Sequence, residues 1–329
     1  MRVMLRTVTV IGLGLIGGSV LRAAARAGHD CRGYDPDPAT RSAARDAGDW
    51  RIDDSPGPAT DGADLVVLAV PPAALPTVLE SLAGHPGIVT DVASVKQPAL
   101  AAVPTGVRFV AGHPMAGREV SGFAAGDAAL FDDRPWVLCL DEPTALADWL
   151  AVAEFVLALG ARAVPAVAAE HDDAVARVSH LPHLAAAALA AQAAGALPAG
   201  LAAGSFADGT RVAASPPALW ADICAANAPA VRAALDRLIA DLGTARAALD
   251  APAPALETWF GAGHAARAGW PPTAGPAIPI PPERDDLLAL GRAGGWLTEI
   301  AGTRLTAVLP SRPAAGTDGP RSRKLGRAR

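Results

Sequence analysis

Lysine is almost missing from this 329-residue chain. Of its 28 basic side chains only Lys96 and Lys324 are lysines, so a position that keeps the compact ammonium is one where that geometry matters. Lys96 is singled out for this reason. Cysteine is scarce as well: Cys31, Cys139 and Cys224 are scattered without CxxC or metal spacing. That implies neither a disulfide framework nor a zinc site, and it suits a reducing cytoplasm. Positive charge is not in excess, and a net charge of −5 argues against a nucleic-acid surface. Residues 181–207 contain no Asp, Glu, Lys or Arg, a length that raises a transmembrane span. The run is mostly Ala and Gly with His183, Gln192 and Pro198 inside it, which suits a close-packed helix in a core or subunit interface better than lipid. No internal repeat is visible.

What is present begins with VTVIGLGLIGGS at residues 8–19. Four β-prone residues run into Gly12-x-Gly14-x-x-Gly17, and a helix follows that stops at Gly28. Gly12 allows the tight turn, Gly14 lets a pyrophosphate approach the backbone, and Gly17 lets helix and strand pack closely. Leu13, Leu15 and Ile16 complete that loop. A second strand over residues 31–34 ends in Asp35, about twenty residues beyond the loop, where an acid bonds the adenosine ribose. The pattern is that of a Rossmann dinucleotide site. Asp35 favours NAD, because a carboxylate repels a 2′-phosphate; Arg32 and Arg41 soften that preference and keep NADP as the alternative. Arg2 and Arg6 before an apolar run imitate a secretory signal, but the three glycines and the charged Arg22 and Arg26 mark folded protein.

The length suits two domains. Strands are expected at residues 63–70, 87–93, 108–112, 136–140 and 161–164, with helices at 38–47 and 144–159. The fully apolar 63–70 run fits a strand buried on both faces, and Val70 and Pro71 at its end are placed at the cofactor. The 87–93 strand delivers Ser94 and Lys96 at its carboxyl end, and the 108–112 strand delivers His113, where open α/β sheets bind ligands. Beyond residue 167 the alternation stops. Residues 170–192 read as one long helix bent near Pro182, followed by helices at 218–226 and 229–249. The expected organisation is a dinucleotide-binding α/β domain over 1–166 and an all-α substrate and dimerisation domain over 167–252. A short irregular β-α-β-β extension then covers 253–312, and a disordered basic tail covers 313–329. The long Ala-lined helices leave more apolar surface than a small domain hides, so a homodimer is expected.

Three further stretches carry polar groups that periodicity does not explain: DVASVK at 91–96, HPMAGREVSG at 113–122 and SFADGTRVAASPPALWADI at 205–223. With GLGLIGGS and EHDDAVARVSHLPH they make the chain resemble the prephenate and arogenate dehydrogenases of tyrosine biosynthesis over roughly residues 8–250. The resemblance implies NAD-dependent oxidative decarboxylation of prephenate to 4-hydroxyphenylpyruvate, with arogenate as the alternative substrate. Hydride passes from the hydroxyl-bearing ring carbon to nicotinamide while the ring carboxylate leaves as CO₂. It implies His113 as partner of the ring hydroxyl, with Ser94 sharing that contact. It implies Arg211 as the carboxylate clamp, oriented by Asp208, and His183 as the contact for the substrate side chain. Glu119, Lys96 and Trp220 are assigned to ordering or closing the substrate site. No metal is implied, since His180 and His183 lack a third ligand. Many members carry a regulatory amino-acid-binding module or a mutase domain; here only the β-α-β-β segment stands in that place.

Two other classes were weighed. A β-hydroxyacid dehydrogenase or imine reductase shares the architecture, but the hydroxyacid enzymes rely on a lysine in the helical region and residues 97–323 contain none. A non-catalytic NAD sensor would not need polar groups crowded at strand ends. Because the tail composition is that of a solvated segment, deleting residues 313–329 is expected to leave folding and turnover intact. Loss of either on truncation, read by circular dichroism and initial rate, would show that the tail docks.

Overall fold

The computed structural model describes residues 4–118 and 120–311; the tail over 313–329 lies outside them. Six strands form an all-parallel sheet: β1 (Thr7–Ile11), β2 (Asp30–Tyr34), β3 (Arg51–Ile52), β4 (Leu65–Leu68), β5 (Ile88–Asp91) and β6 (Arg108–Val110). Their order is β3-β2-β1-β4-β5-β6. The apolar run that imitates a signal sequence is β1, a central strand. Every residue of β4 is buried, as its uninterrupted apolar sequence requires. Strand order reverses between β1 and β4, which opens a crevice beyond their carboxyl ends.

The remaining strands do not extend this sheet. A second one contains β7 (Gly112–Pro114), β8 (Pro135–Cys139), β9 (Arg162–Ala166), β10 (Ala274–Ile280), β11 (Trp296–Ala301) and β12 (Arg304–Pro310), ordered β10-β12-β11-β9-β8-β7. The strand expected at 108–112 is therefore two short strands in different sheets. The chain changes sheet at Ala111, whose carbonyl accepts the Cys139 N–H at 2.8 Å. His113 accordingly sits within β7, opposite Val137 of β8, rather than at the free end of a strand.

The β-α-β-β segment forms as β10, a helix at Arg284–Arg292, β11 and β12, but it is not a separate extension. Leu297 of β11 pairs with Ala163 of β9. Leu287, Leu297 and Leu305 enter the same core as Val10, Leu138 and Trp149. The physical reason is that β9 would otherwise be a bare edge beside apolar side chains. Arg284 fastens the segment by donating to the carbonyls of Leu140 and Thr144, both at 2.6 Å.

The helical half begins with Ala168–Val175, passes through a π-helical turn at Ala176–His180 and continues as Leu181–Ala191, so the irregularity near Pro182 is a π-helical turn that ends just before it. Helices Gly204–Thr210, Pro217–Ala226 and Ala228–Ala248 follow. A further helix, Pro254–Ala268, occupies a stretch whose Pro and Gly content concealed it. Its proline lies in the first turn and Gly269 ends it, positions where both residues favour a helix. The buried cluster of this half holds only Ala176, Val231 and Ala234, while Leu189, Leu197, Leu201, Leu242, Leu249 and Phe260 are exposed. Among the described residues no helix is long and apolar enough to cross a membrane.

If the C-terminal strands belong to the common core, Leu297→Ala should destabilise the whole protein by about 2–5 kcal/mol. Urea unfolding followed by tryptophan fluorescence measures this. A change below about 0.5 kcal/mol, the range of an inconsequential surface substitution, would mean that the segment folds apart from the sheet.

Candidate active site

The glycine loop joins β1 to the helix Leu15–Arg26, with Gly14 at its N-cap and no side-chain cap, so its first N–H groups are open to an anion. Gly12 has φ +90°, and a Cβ there would lie 2.4 Å from the carbonyl oxygen of Ala69. A Cβ on Gly17 would strike the carbonyl oxygen of Gly12 at 1.8 Å. Nothing lies within 4 Å of the same point on Gly14, which leaves the room a pyrophosphate requires. Leu13 donates its N–H to Asp35 Oδ2 at 2.7 Å, and Asp37 donates to Oδ1 at 2.9 Å. The Asp35 carboxylate is thus fixed at the end of β2 with lone pairs remaining for a ribose diol. Arg41 donates to the carbonyl of Asp35 at 2.8 Å, placing a guanidinium beside that position. Leu15 and Ile16 form the helix start, and Val70 with Pro71 follow β4 against Gly12. These residues fit a dinucleotide.

Beneath the loops lies a fully buried polar floor. The Lys96 ammonium is paired with Asp91 at the end of β5 and donates to the carbonyl of Gly112 at 2.7 Å. Asp91 Oδ1 accepts the Gly112 N–H at 3.0 Å. The Lys96 ammonium is thus committed to Asp91 and Gly112. The backbone N–H groups of Lys96 and Gln97 donate to the two carboxylate oxygens of Asp172 at 2.8 and 2.9 Å. Asp172 thereby caps the helix Gln97–Ala101 from the helical half, and Ser94 does not cap it. His171 Nδ1 lies 2.8 Å from Asp172 Oδ1, and His171 Nε2 lies 2.8 Å from His113 Nδ1. Burial would raise Asp172, but the bonds from His171, Lys96 and Gln97 outweigh it and hold the carboxyl below its ordinary range. Burial, reinforced by the positive fields of His171, Lys96 and His180, pushes His113 well below the ordinary histidine value. Among the described residues Nε2 of His113 makes no hydrogen bond.

The wall facing this floor comes from the helical half. Asn227 donates to the Asp172 carbonyl at 2.8 Å and lies 3.3 Å from His180 Nδ1. His180 is lowered to about 4, chiefly by burial, with Asp172 opposing. His183 stacks on Trp220 with centroids 3.2 Å apart, and its Nδ1 lies 2.9 Å from the Ser179 carbonyl. Burial first, and then the charge of Arg211, lower His183. Leu184, Val212, Pro217 and Cys224 line a mostly apolar cavity of about 270 Å³ alongside His183 and Trp220. Arg211 opens the turn Arg211–Ala214, and Asp208 is exposed on the preceding helix. Ser94 is half-buried in the loop between β5 and Lys96. Glu119 lies outside the described residues. His113, Lys96, His183, Trp220 and Arg211 are thus linked through contacts or fields, whereas His171, Asp172 and Asn227 were missed. EHDD resembles a solvated charge run, and only its place at the start of the SHLPH helix could have marked it.

His113, His180 and His183 tie stability to pH. Their folded-state values lie below the free value of 6.5, so the unfolded chain takes up protons that the native state refuses as pH falls. Stability from this source is complete above about pH 6.5 and is lost as pH falls toward about 4. The midpoint of thermal unfolding should fall through that window, and a flat midpoint between about pH 7 and 5 would show that the rings protonate without penalty.

Two family models match: the nucleotide-binding domain of prephenate dehydrogenase over residues 18–165, and its dimerization domain over residues 167–260. The second match runs past the boundary expected at residue 252 into the helix Pro254–Ala268. The cyclohexadienyl dehydrogenase of Zymomonas mobilis is 36% identical over 258 residues, covering 74% of this chain and 88% of its own. The Synechocystis arogenate dehydrogenase structure superposes with a TM-score of 0.72 at 28% identity, covering 80% of this chain and 99% of that one. The prephenate dehydrogenase of Aquifex aeolicus, solved with hydroxyphenyl propionate and NAD+, gives a TM-score of 0.72 at 26% identity, covering 80% and 98%. With the phosphate loop, the buried floor under His113 and both family domains in one chain, this protein belongs to the prephenate dehydrogenase family, dehydrogenases that act on cyclohexadienyl acids.

Proposed function

We propose that the protein is an NAD-dependent prephenate dehydrogenase, converting prephenate to 4-hydroxyphenylpyruvate and CO₂. The observation that carries this is His113: burial keeps its ring neutral, His171 occupies Nδ1, and Nε2 remains to take the hydrogen bond of a ring hydroxyl. A bound nicotinamide supplies the hydride acceptor, and aromatisation of the ring supplies the driving force. His113 draws on the hydroxyl proton as the carbon beneath it loses hydride, and Ser94 shares that hydroxyl. Arg211 presents a planar fork to a substrate carboxylate. The Trp220–His183 stack and its cavity shield the ring from water. Asp35 takes the adenosine ribose and sets the preference for NAD over NADP. The cytoplasm is the proposed compartment, in keeping with free Cys31, Cys139 and Cys224.

One observation favours arogenate as a second reading. The keto acid side chain of prephenate would be served by a hydrogen-bond donor at His183. A carbonyl only accepts, so Nδ1 carries the proton that meets Ser179, and the neutral ring offers its other nitrogen as an acceptor. An acceptor there suits the ammonium of arogenate.

Values of kcat/KM for both acids with both NAD and NADP decide among these. A preference for arogenate of about tenfold, worth roughly 1.4 kcal/mol, replaces prephenate as the substrate. A higher value with NADP removes Asp35 from its role. His113→Ala should lower kcat by about 10²- to 10⁴-fold with little change in KM. Arg211→Ala should mainly raise KM, because a carboxylate clamp acts in ground and transition states alike. Unchanged turnover in the His113 variant would overturn the mechanism.

A further inference from the structure

Three side chains from two halves of the molecule form a row with a direction. Asp172, the buried His171 and His113 are joined by two contacts of 2.8 Å each. The rings of His171 and His113 meet edge to face with centroids 5.1 Å apart. Asp172 can only accept, since both of its oxygens already receive backbone N–H groups. His171 must therefore carry a proton on Nδ1. In a neutral ring Nε2 then holds a lone pair, and His113 must donate to it from Nδ1.

We propose that Asp172 and His171 are positioning residues that lock His113 in the tautomer with Nδ1 protonated and Nε2 bare. This inference rests on the dehydrogenase reading for its purpose, because a bare Nε2 is what a ring hydroxyl needs in order to donate. The same row gives a route for charge. As His113 draws on the hydroxyl proton, positive charge develops on its ring, and the His171 ring and the Asp172 carboxylate lie in line to stabilise it without any heavy atom moving. Lys96 reinforces the direction, because its backbone N–H holds Asp172 while its ammonium holds the carbonyl of Gly112, the neighbour of His113. A histidine placed here for packing alone would not need Nδ1 on a buried carboxylate and Nε2 on the imidazole proposed to meet the ring hydroxyl. Reversed, with His171 donating from Nε2, the row would leave Asp172 facing a lone pair, an arrangement with no attraction to offset its burial.

The test has two arms on the full-length protein. In the first, histidine is labelled with ¹⁵N and ring nitrogen shifts are recorded without substrate, the His113 signals being assigned by their loss in His113→Ala. An unprotonated Nε2 with a protonated Nδ1 on His113 is expected; the opposite tautomer, or a His171 protonated on both nitrogens, overturns the proposal. The second arm compares His171→Gln with His171→Leu in steady-state turnover. Glutamine places a carbonyl oxygen near the former Nε2 and can still accept from His113, whereas leucine cannot. His171→Leu should lower kcat on the order of 10²-fold while KM changes less than about twofold, and His171→Gln should recover most of that loss. Equal losses in both variants, an unaltered kcat in His171→Leu, or a change confined to KM would each overturn the proposal. Where His171→Leu does not fold, the wild-type shifts and the glutamine variant still decide. Failure of the wild type to turn over either acid would instead sink the proposed function and leave the tautomer measurement standing.

Discussion

One buried residue, Lys96, ties the two halves of the molecule together, its ammonium fixing Asp91 and Gly112 and its backbone N–H fixing Asp172. Lys96 is fully buried, and so is the Asp91 carboxylate that balances it. Burying two charges is costly, and the cost is offset here by further hydrogen bonds: the carbonyl of Gly112 accepts from Nζ, and Asp91 accepts the N–H groups of Ala93 and Gly112. Removing one partner would leave the other uncompensated, an effect of about 3–5 kcal/mol in comparable buried pairs. The position also accounts for the survival of a lysine in a chain that otherwise prefers arginine. A guanidinium is planar and broad, and a site closed on all sides between β5 and β7 suits a compact cation.

From that ion pair the electrostatics of the site follow in sequence. Lys96 fixes Gly112, and Gly112 starts the short strand that carries His113. The backbone of Lys96 fixes Asp172, which draws a carboxylate of the helical half into the floor. Around this charge burial, with nearby positive groups, pushes His113 well below its ordinary value, and burial brings His180 down to about 4. A neutral imidazole at His113 and an ionised carboxylate at Asp172, the far end of the same row, are opposite outcomes of burial. Three hydrogen bonds to Asp172 make the difference.

Much of this was legible because it is local. The glycine loop, Asp35 and the apolar strands are each written in a few consecutive residues. What escaped is non-local. The N–H of Lys96 and the carboxylate of Asp172 are 76 positions apart, and neither residue announces the other. The second sheet was hidden for the same reason. Its strands β7, β8 and β9 look like continuations of the first sheet, and what completes it is a hairpin from far downstream that pairs Leu297 with Ala163. Resemblance to a family supplied His113, Arg211 and His183, whereas His171 could be recognised only once Asp172 and His113 stood on either side of it.

The helical half has almost no core of its own, with Ala176, Val231 and Ala234 alone in its buried cluster. Beyond Val167 and Ala168, which pack on the cores of the nucleotide-binding half, its seat draws little on hydrophobic burial within the chain. Part comes from hydrogen bonds, since Asp172 bonds Lys96 and Gln97 while Asn227 binds the carbonyl of Asp172 from the next helix pair. Part comes from the downstream segment, where Arg292 pairs with Glu170, immediately before His171. The rest is left to the exposed leucines at 189, 197, 201, 242 and 249, an apolar surface of the kind that pairing of two dimerisation domains covers. Polar bonds set direction where apolar contact sets only proximity. The helix that bears His171 is thus aimed by the same bonds that give the row its polarity, and a substitution that loosened the seat would misdirect His113 before it unfolded the chain.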